Sequence, residues 1–137
     1  MKMKLAKTQK LLLFVAGALL ILIGTFISVS PIDFYASNSI DLGSNVSLLN
    51  ELKAPAGFLL VAGLFIIGAI FVQRLADSAM LLATLIYLSY AASRFASMVF
   101  DGVPAAGLVQ AAALETVVGL ACLAALLIRG FPARKIA

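Results

Sequence analysis

Of 137 residues, 64% are hydrophobic and 12% charged, the mean hydropathy is +1.14, and the formal net charge is +4. One chain of this length cannot hide so much apolar surface in a water-soluble core, so lipid must solvate part of it. With no histidine and a single cysteine, Cys122, the chain offers no Cys/His zinc site, no His-ligated haem, no Ser-His-Asp triad and no internal disulfide.

The first apolar run covers Leu11 to Val29 and stops at Pro31, which predicts a helix over about 11–30. Its basic start (Lys2, Lys4, Lys7, Lys10) fits a secretory signal. The apolar stretch exceeds a typical signal core, however, so the segment is expected to remain as an anchor. Residues 31–54 form a long Asn- and Ser-rich connection, within which Ile32, Phe34, Tyr35, Ile40, Leu42, Val46, Leu48 and Leu49 can pack against the bundle or the lipid interface. Asn45-Val46-Ser47 matches a glycosylation triplet, a pattern common by chance.

The second run starts at Pro55 and gives a helix over about 55–73, ending at Gln73-Arg74. Gly57, Gly63 and Gly68 are expected to admit close packing along it. A tight turn follows, with Asp77 or Ser78 as helix cap. The third helix, about 79–100, carries one charge, Arg94. Ser89, Ser93 and Ser97 with Ala92 and Ala96 are its small residues for helix contact. The turn Asp101-Gly102-Val103-Pro104 supplies a glycine to end this helix and a proline for the first turn of the fourth, about 105–128. Gln110, Glu115 and Cys122 lie within the fourth helix, the cysteine as a small apolar filler.

Each run has the length an α-helix needs to cross roughly 30 Å of hydrocarbon, and helices satisfy their own backbone groups, as lipid demands. The expected architecture is a single all-α domain, residues 1–137: an integral membrane four-helix bundle, antiparallel, with a long outer loop between the first two helices. Short turns should make helices two, three and four neighbours in sequence order. Lys2, Lys4, Lys7, Lys10, Arg74, Arg129, Arg134 and Lys135 share one side, against Lys53 on the other. This bias puts both termini in the cytoplasm. Topology and anionic lipid account for the positive charge, so no nucleic-acid partner follows.

A charge near a bilayer centre costs about 2.5–3.5 kcal/mol, so Arg94 and Glu115 need a reason. They lie roughly 10 Å and 16 Å below the outer turn. Side chains lean toward their own helix N-terminus, so on antiparallel neighbours these two reach toward each other and should form an ion pair. Tyr87, Tyr90, Arg94, Ser97 and Asp101 share one helix face at steps of three and four. Ala111, Glu115 and Gly119 share a face of the fourth helix, flanked by Leu108 and Cys122. The stripe and the carboxylate mark either a candidate pocket in the outer half or helix glue. Glu51 and Lys53 are placed to cap that pocket.

Pro31 and Tyr35, the Glu-Leu-Lys-Ala-x-x-Gly from Glu51 to Gly57, Arg94 with Ser97, the Asp101-Gly102-x-Pro104 turn and Glu115 occur in this order. In these features the chain resembles a bacterial four-helix membrane family catalogued as domain of unknown function 4345, over roughly residues 10–128. Members often carry Arg and a second Gly at the start of the second helix, where this chain has Lys53, Pro55 and Ala56. The resemblance implies a small bacterial inner (cytoplasmic) membrane protein without established activity, and singles out Glu51, Arg94, Asp101 and Glu115.

Two functional readings follow. The first is a non-catalytic accessory or interaction subunit, with a membrane-protein partner or a second copy of itself. The second is a binding or transport module for a small amphiphile or bound lipid, held by Arg94 and Glu115. An enzyme using Glu115 as acid/base would rest on those two groups alone. No catalytic residue, cofactor or metal is assigned.

Overall fold

The computed structural model describes residues 5–129, and these are helical, with no strand among them. Lys2, Lys4, Arg134 and Lys135 of the charge count lie outside the described residues. The elements are α1 (Lys7–Val29), α2 (Pro31–Ala36), α3 (Val46–Phe71), a short 3-10 turn at Gln73–Leu75, α4 (Ala76–Phe100) and α5 (Ala106–Arg129). Four helices (α1, α3, α4 with its preceding turn, and α5) are long and apolar enough to cross a membrane.

Proline places the first break. Ser30 precedes Pro31, which disfavours the α conformation there. Ser30 leaves the helix (φ −132°, ψ 62°), and Pro31 opens α2 at a position where its missing N–H costs nothing. α2 then reverses through two hydrogen bonds, Ile40 N donating to Tyr35 O and Ser39 N to Ala36 O, with Ser39 at φ 62°. This is the Schellman arrangement, built here without glycine. It returns Ile40 toward the bundle beside Tyr35.

Several expected boundaries shift. The connection 31–54 is largely helical, because α3 extends back through Pro55 to Val46. Asn45 is its N-cap, accepting from Leu48 N at 3.1 Å, and Pro55 sits inside the helix, not at its start. Proline removes one intrahelical bond but leaves the upstream turns intact once they are capped. Leu75, not Asp77 or Ser78, occupies the N-cap position of α4, without a side-chain cap. Gly102 adopts φ 101°, as the end of α4 requires. Pro104 precedes α5, which begins at Ala106.

The helices associate in two tight pairs. A Cβ on Gly24 would lie 2.7 Å from Ala56 O, and one on Gly17 would lie 2.8 Å from Gly63 O. Positions on α3 thus fall as those on α1 rise, with backbones in contact. α5 lies likewise on α4: a Cβ on Gly119 would meet the Leu88 side chain at 2.5 Å. Contacts between α3 and α4 are much sparser, which corrects the expected succession of neighbours. The turn at 72–75 holds α3 and α4 together at one end only, while glycines draw α3 onto α1.

Of the second-helix glycines, Gly63 alone makes a close approach; Gly57 and Gly68 face open space. Ser89, Ala92, Ser93, Ala96 and Ser97 are exposed rather than buried in a helix contact. The core fills the Arg129 end of the bundle, where Leu13, Ile66, Met80 and Cys122 are fully buried. From the level of Ile86 and Tyr87 toward Gly102 a cavity separates the two pairs.

Candidate functional site

The parting of the helix pairs leaves a cavity of about 370 Å³. From α1 it takes Leu19, Leu20, Ile23 and Ile27; from α3, Leu52, Pro55, Ala56 and Leu59. α4 contributes Ile86, Tyr87, Tyr90 and Arg94, and α5 contributes Leu108, Ala111, Leu114 and Glu115. The segment after α1 closes the Gly102 end with Phe34, Tyr35, Asn38 and Ile40. Phe34 is held there by edge-to-face packing on Phe26 at 5.7 Å and on Tyr35 at 5.3 Å between ring centres. Gly107 completes the closure, since a side chain there would occupy the position of Asn38 Oδ1.

The polar groups converge on the Gly102 half. Arg94 Nε donates to both Glu115 oxygens, at 2.9 and 3.1 Å. Side-chain exposure is 31% for Arg94 and 13% for Glu115, so the pair is half-sheltered. Neither Arg94 Nη group is hydrogen-bonded to a described residue. Tyr87 is spent differently: its hydroxyl donates to Ala16 O at 2.7 Å, tying α4 to α1 beneath the cavity. Burial pushes the Tyr35 hydroxyl above its usual range; Tyr90 adds to this, while Arg94 opposes it. These three side chains therefore sense one another.

The stripe on α4 thus divides. Tyr87, Tyr90 and Arg94 line the cavity with Glu115. Ser97 donates to Asp101 Oδ2 at 2.8 Å on the exposed surface. Ser97 also borders, with Arg94, Met98, Pro104 and Leu108, a smaller hollow of about 100 Å³. Glu51 and Lys53 are exposed and line neither space; the α3 residues that line the cavity are Leu52, Pro55, Ala56 and Leu59. The expected cap fails because α3 is already helical at 51, which sets Leu52 against the cavity and leaves Glu51 and Lys53 on the exposed side. Ala111 and Leu108 line the cavity, whereas Gly119 serves the α4–α5 contact.

The opposite end carries a polar cluster. Arg129 Nε donates to Asp77 Oδ1 at 2.5 Å, and its Nη1 to Gln9 Oε1 at 3.4 Å. The Arg129 side chain is only 5% exposed. Gln9 Oε1 also accepts from Ala6 N at 3.1 Å, so three helices meet in one polar knot. Opposite charges at the start of the third run and the end of the fourth were its only trace in the sequence.

A polar knot at one end and an ion-paired cavity at the other mark a small bundle with four helices long and apolar enough to cross a membrane. The chain belongs to the DUF4345 family, described as a domain of unknown function, whose model matches residues 8–126. Neither a curated protein nor a solved structure matches it significantly.

Proposed function

We propose that this is an integral membrane protein that binds a small amphiphile in the chamber beside Arg94. The observation that carries this reading is the cavity itself. An accessory subunit uses its outer faces and has no need of an interior hollow, yet here about 370 Å³ is walled by aliphatic side chains and ends on a guanidinium. That volume falls in the range of small-molecule sites, and so does the design of apolar walls with a few convergent polar groups.

The antiparallel bundle would span the bacterial inner membrane with both termini in the cytoplasm. Among described residues, Lys7, Lys10, Arg74 and Arg129 lie at or beyond one end of the long helices and Lys53 toward the other, which supports that orientation. The Arg94–Glu115 pair then sits in the outer half, and the Asp77–Arg129 knot closes the cytoplasmic half. This arrangement suits a receptor loaded from the outer half better than a channel.

The test is ligand-induced stabilisation. Total lipid extract should raise the melting temperature of the purified protein, because a ligand that binds only the folded state stabilises it. Ala111→Phe, which fills the chamber, should melt well without extract and gain nothing from it. Equal gains in both proteins would contradict the reading.

A second reading keeps one specific observation. Ser89, Ala92, Ser93 and Ala96 present a small-residue face that nothing in the chain covers, and such faces admit close helix approach in lipid. A partner helix or a second copy is the natural occupant. Cross-linking through Ser93→Cys, in a chain whose Cys122 is buried, would reveal it.

A further inference from the structure

The polar inventory of the chamber is lopsided. Among its lining residues the charged side chains are Arg94 and Glu115, and they are paired, so the wall is electrically neutral. Its spare polar capacity is mostly donors. Both Arg94 Nη groups and the hydroxyls of Tyr35 and Tyr90 are hydrogen-bonded to no described residue, whereas Tyr87 has already given its proton to Ala16. Acceptors are scarcer. Both Glu115 oxygens already share Arg94 Nε, and beyond them and the tyrosine hydroxyls the lining side chains add Asn38 Oδ1, whose amide nitrogen donates to Phe34 O and Ser37 Oγ.

Taking the chamber as a binding site, we infer that its ligand is an uncharged amphiphile whose head carries carbonyl-type acceptors, such as an ester, ketone or quinone, received by Arg94, Tyr35 and Tyr90. Charge balance selects this class. A carboxylate or phosphate head would bring a second anion to a guanidinium that Glu115 already neutralises, leaving net charge in a poorly solvated site. A cationic head would find the carboxylate already engaged and a ring of donors around it. A neutral carbonyl accepts from the Nη and hydroxyl donors and adds no charge, and its tail lies on the leucines and isoleucines of α1 and α3.

The protein carries its own reporter. It has no tryptophan and three tyrosines, and all three line the chamber. Tyrosine emission of the full chain in non-ionic micelles would be titrated with methyl laurate, laurate and dodecane at mildly alkaline pH, where laurate is ionised. Methyl laurate should give a saturable change at a concentration about tenfold below the other two, a difference readable as a tenfold ratio of Kd. Tyr90→Phe keeps the ring and removes one donor. It should weaken methyl laurate roughly three- to tenfold and leave dodecane unchanged. Tighter binding of laurate, or equal binding of dodecane, overturns the neutral-acceptor assignment while the chamber still binds an amphiphile. No saturable change with any of the three overturns the binding site as well.

Discussion

The Tyr87 hydroxyl donates to the backbone carbonyl of Ala16 across the bundle, at 2.7 Å and with Tyr87 only 4% exposed. This bond joins the α4–α5 pair to the α1–α3 pair where the packed core gives way to the chamber. Above it lie Tyr90 and Arg94; below it lie Met80, Ala83 and Thr84, all buried. Thr84 closes its own polar group on Met80 O at 2.8 Å, and no buried side-chain nitrogen or oxygen is left unpaired among the described residues.

Tyr87→Phe should therefore act on stability through one hydroxyl. The ring keeps its packing, and Ala16 O loses a buried donor. The expected cost is about 1–2 kcal/mol, read as a lower melting temperature in detergent. An unchanged melting temperature would mean that the bond between the pairs contributes nothing.

The glycines of α1 and α3 make a sharper series. A Cβ on Gly24 meets backbone at Ala56 O and Leu60 N, at 2.7 and 2.8 Å, and neither can rotate away. Gly24→Ala should separate the pair at a cost of roughly 1–3 kcal/mol. Gly57→Ala meets nothing within 4 Å and should be neutral or stabilise by up to about 1 kcal/mol through helix propensity. Thermal unfolding of the two variants side by side decides this, since generic intolerance of alanine would penalise both.

Arg94 and Glu115 call for a double-mutant cycle. Each single change to Leu strands a charge in apolar surroundings, worth roughly 2.5–3.5 kcal/mol at a bilayer centre. The cost is smaller here because 31% of the Arg94 side chain remains exposed. The double change removes both charges, so it should cost less than the two singles together, with a coupling of about 0.5–3 kcal/mol. Simple additivity in unfolding experiments would show that the two groups do not sense each other.

Tyr35 lies outside the spans and gives a pH signature. Its folded-state pKa is raised above 10.0, chiefly by burial. The fold thus favours the neutral hydroxyl, and this contribution is complete below the unfolded value and lost as pH climbs through the folded one. In a Tyr87→Phe/Tyr90→Phe background, tyrosinate absorbance should develop with a midpoint above 10.0, and the melting temperature should decline over the same alkaline interval. A midpoint at or below 10.0 would place the side chain in open water.

Most of the helical framework was legible because helices long and apolar enough to cross a membrane write themselves as long apolar runs. The register of α4 on α5 was legible too: Gly102 fixes a short turn, and side-chain direction then carries Arg94 to Glu115. The closure over the chamber was not. Phe34, Tyr35 and Ile40 read as apolar residues in a polar stretch, and only the Ser39 reversal brings them back onto the bundle. Pro55 misled because proline so often starts a helix that the capped turns upstream of it went unread. The α1–α3 contact was obscured for another reason. Gly17 and Gly24 look like interruptions of an apolar run until Gly63 and Ala56 are placed opposite them. The Asp77–Arg129 pair needed three-dimensional register, since each residue alone reads as a cap or a topology signal.

The most direct measurement is native mass spectrometry of the protein released gently from its own membrane, as wild type and as Ala111→Phe. The account predicts one small molecule on the wild-type chain, retained through desolvation and absent from the filled variant, with a fragment pattern of an uncharged carbonyl-headed amphiphile. Wild-type protein that flies bare, or that carries the same adducts as Ala111→Phe, would contradict it.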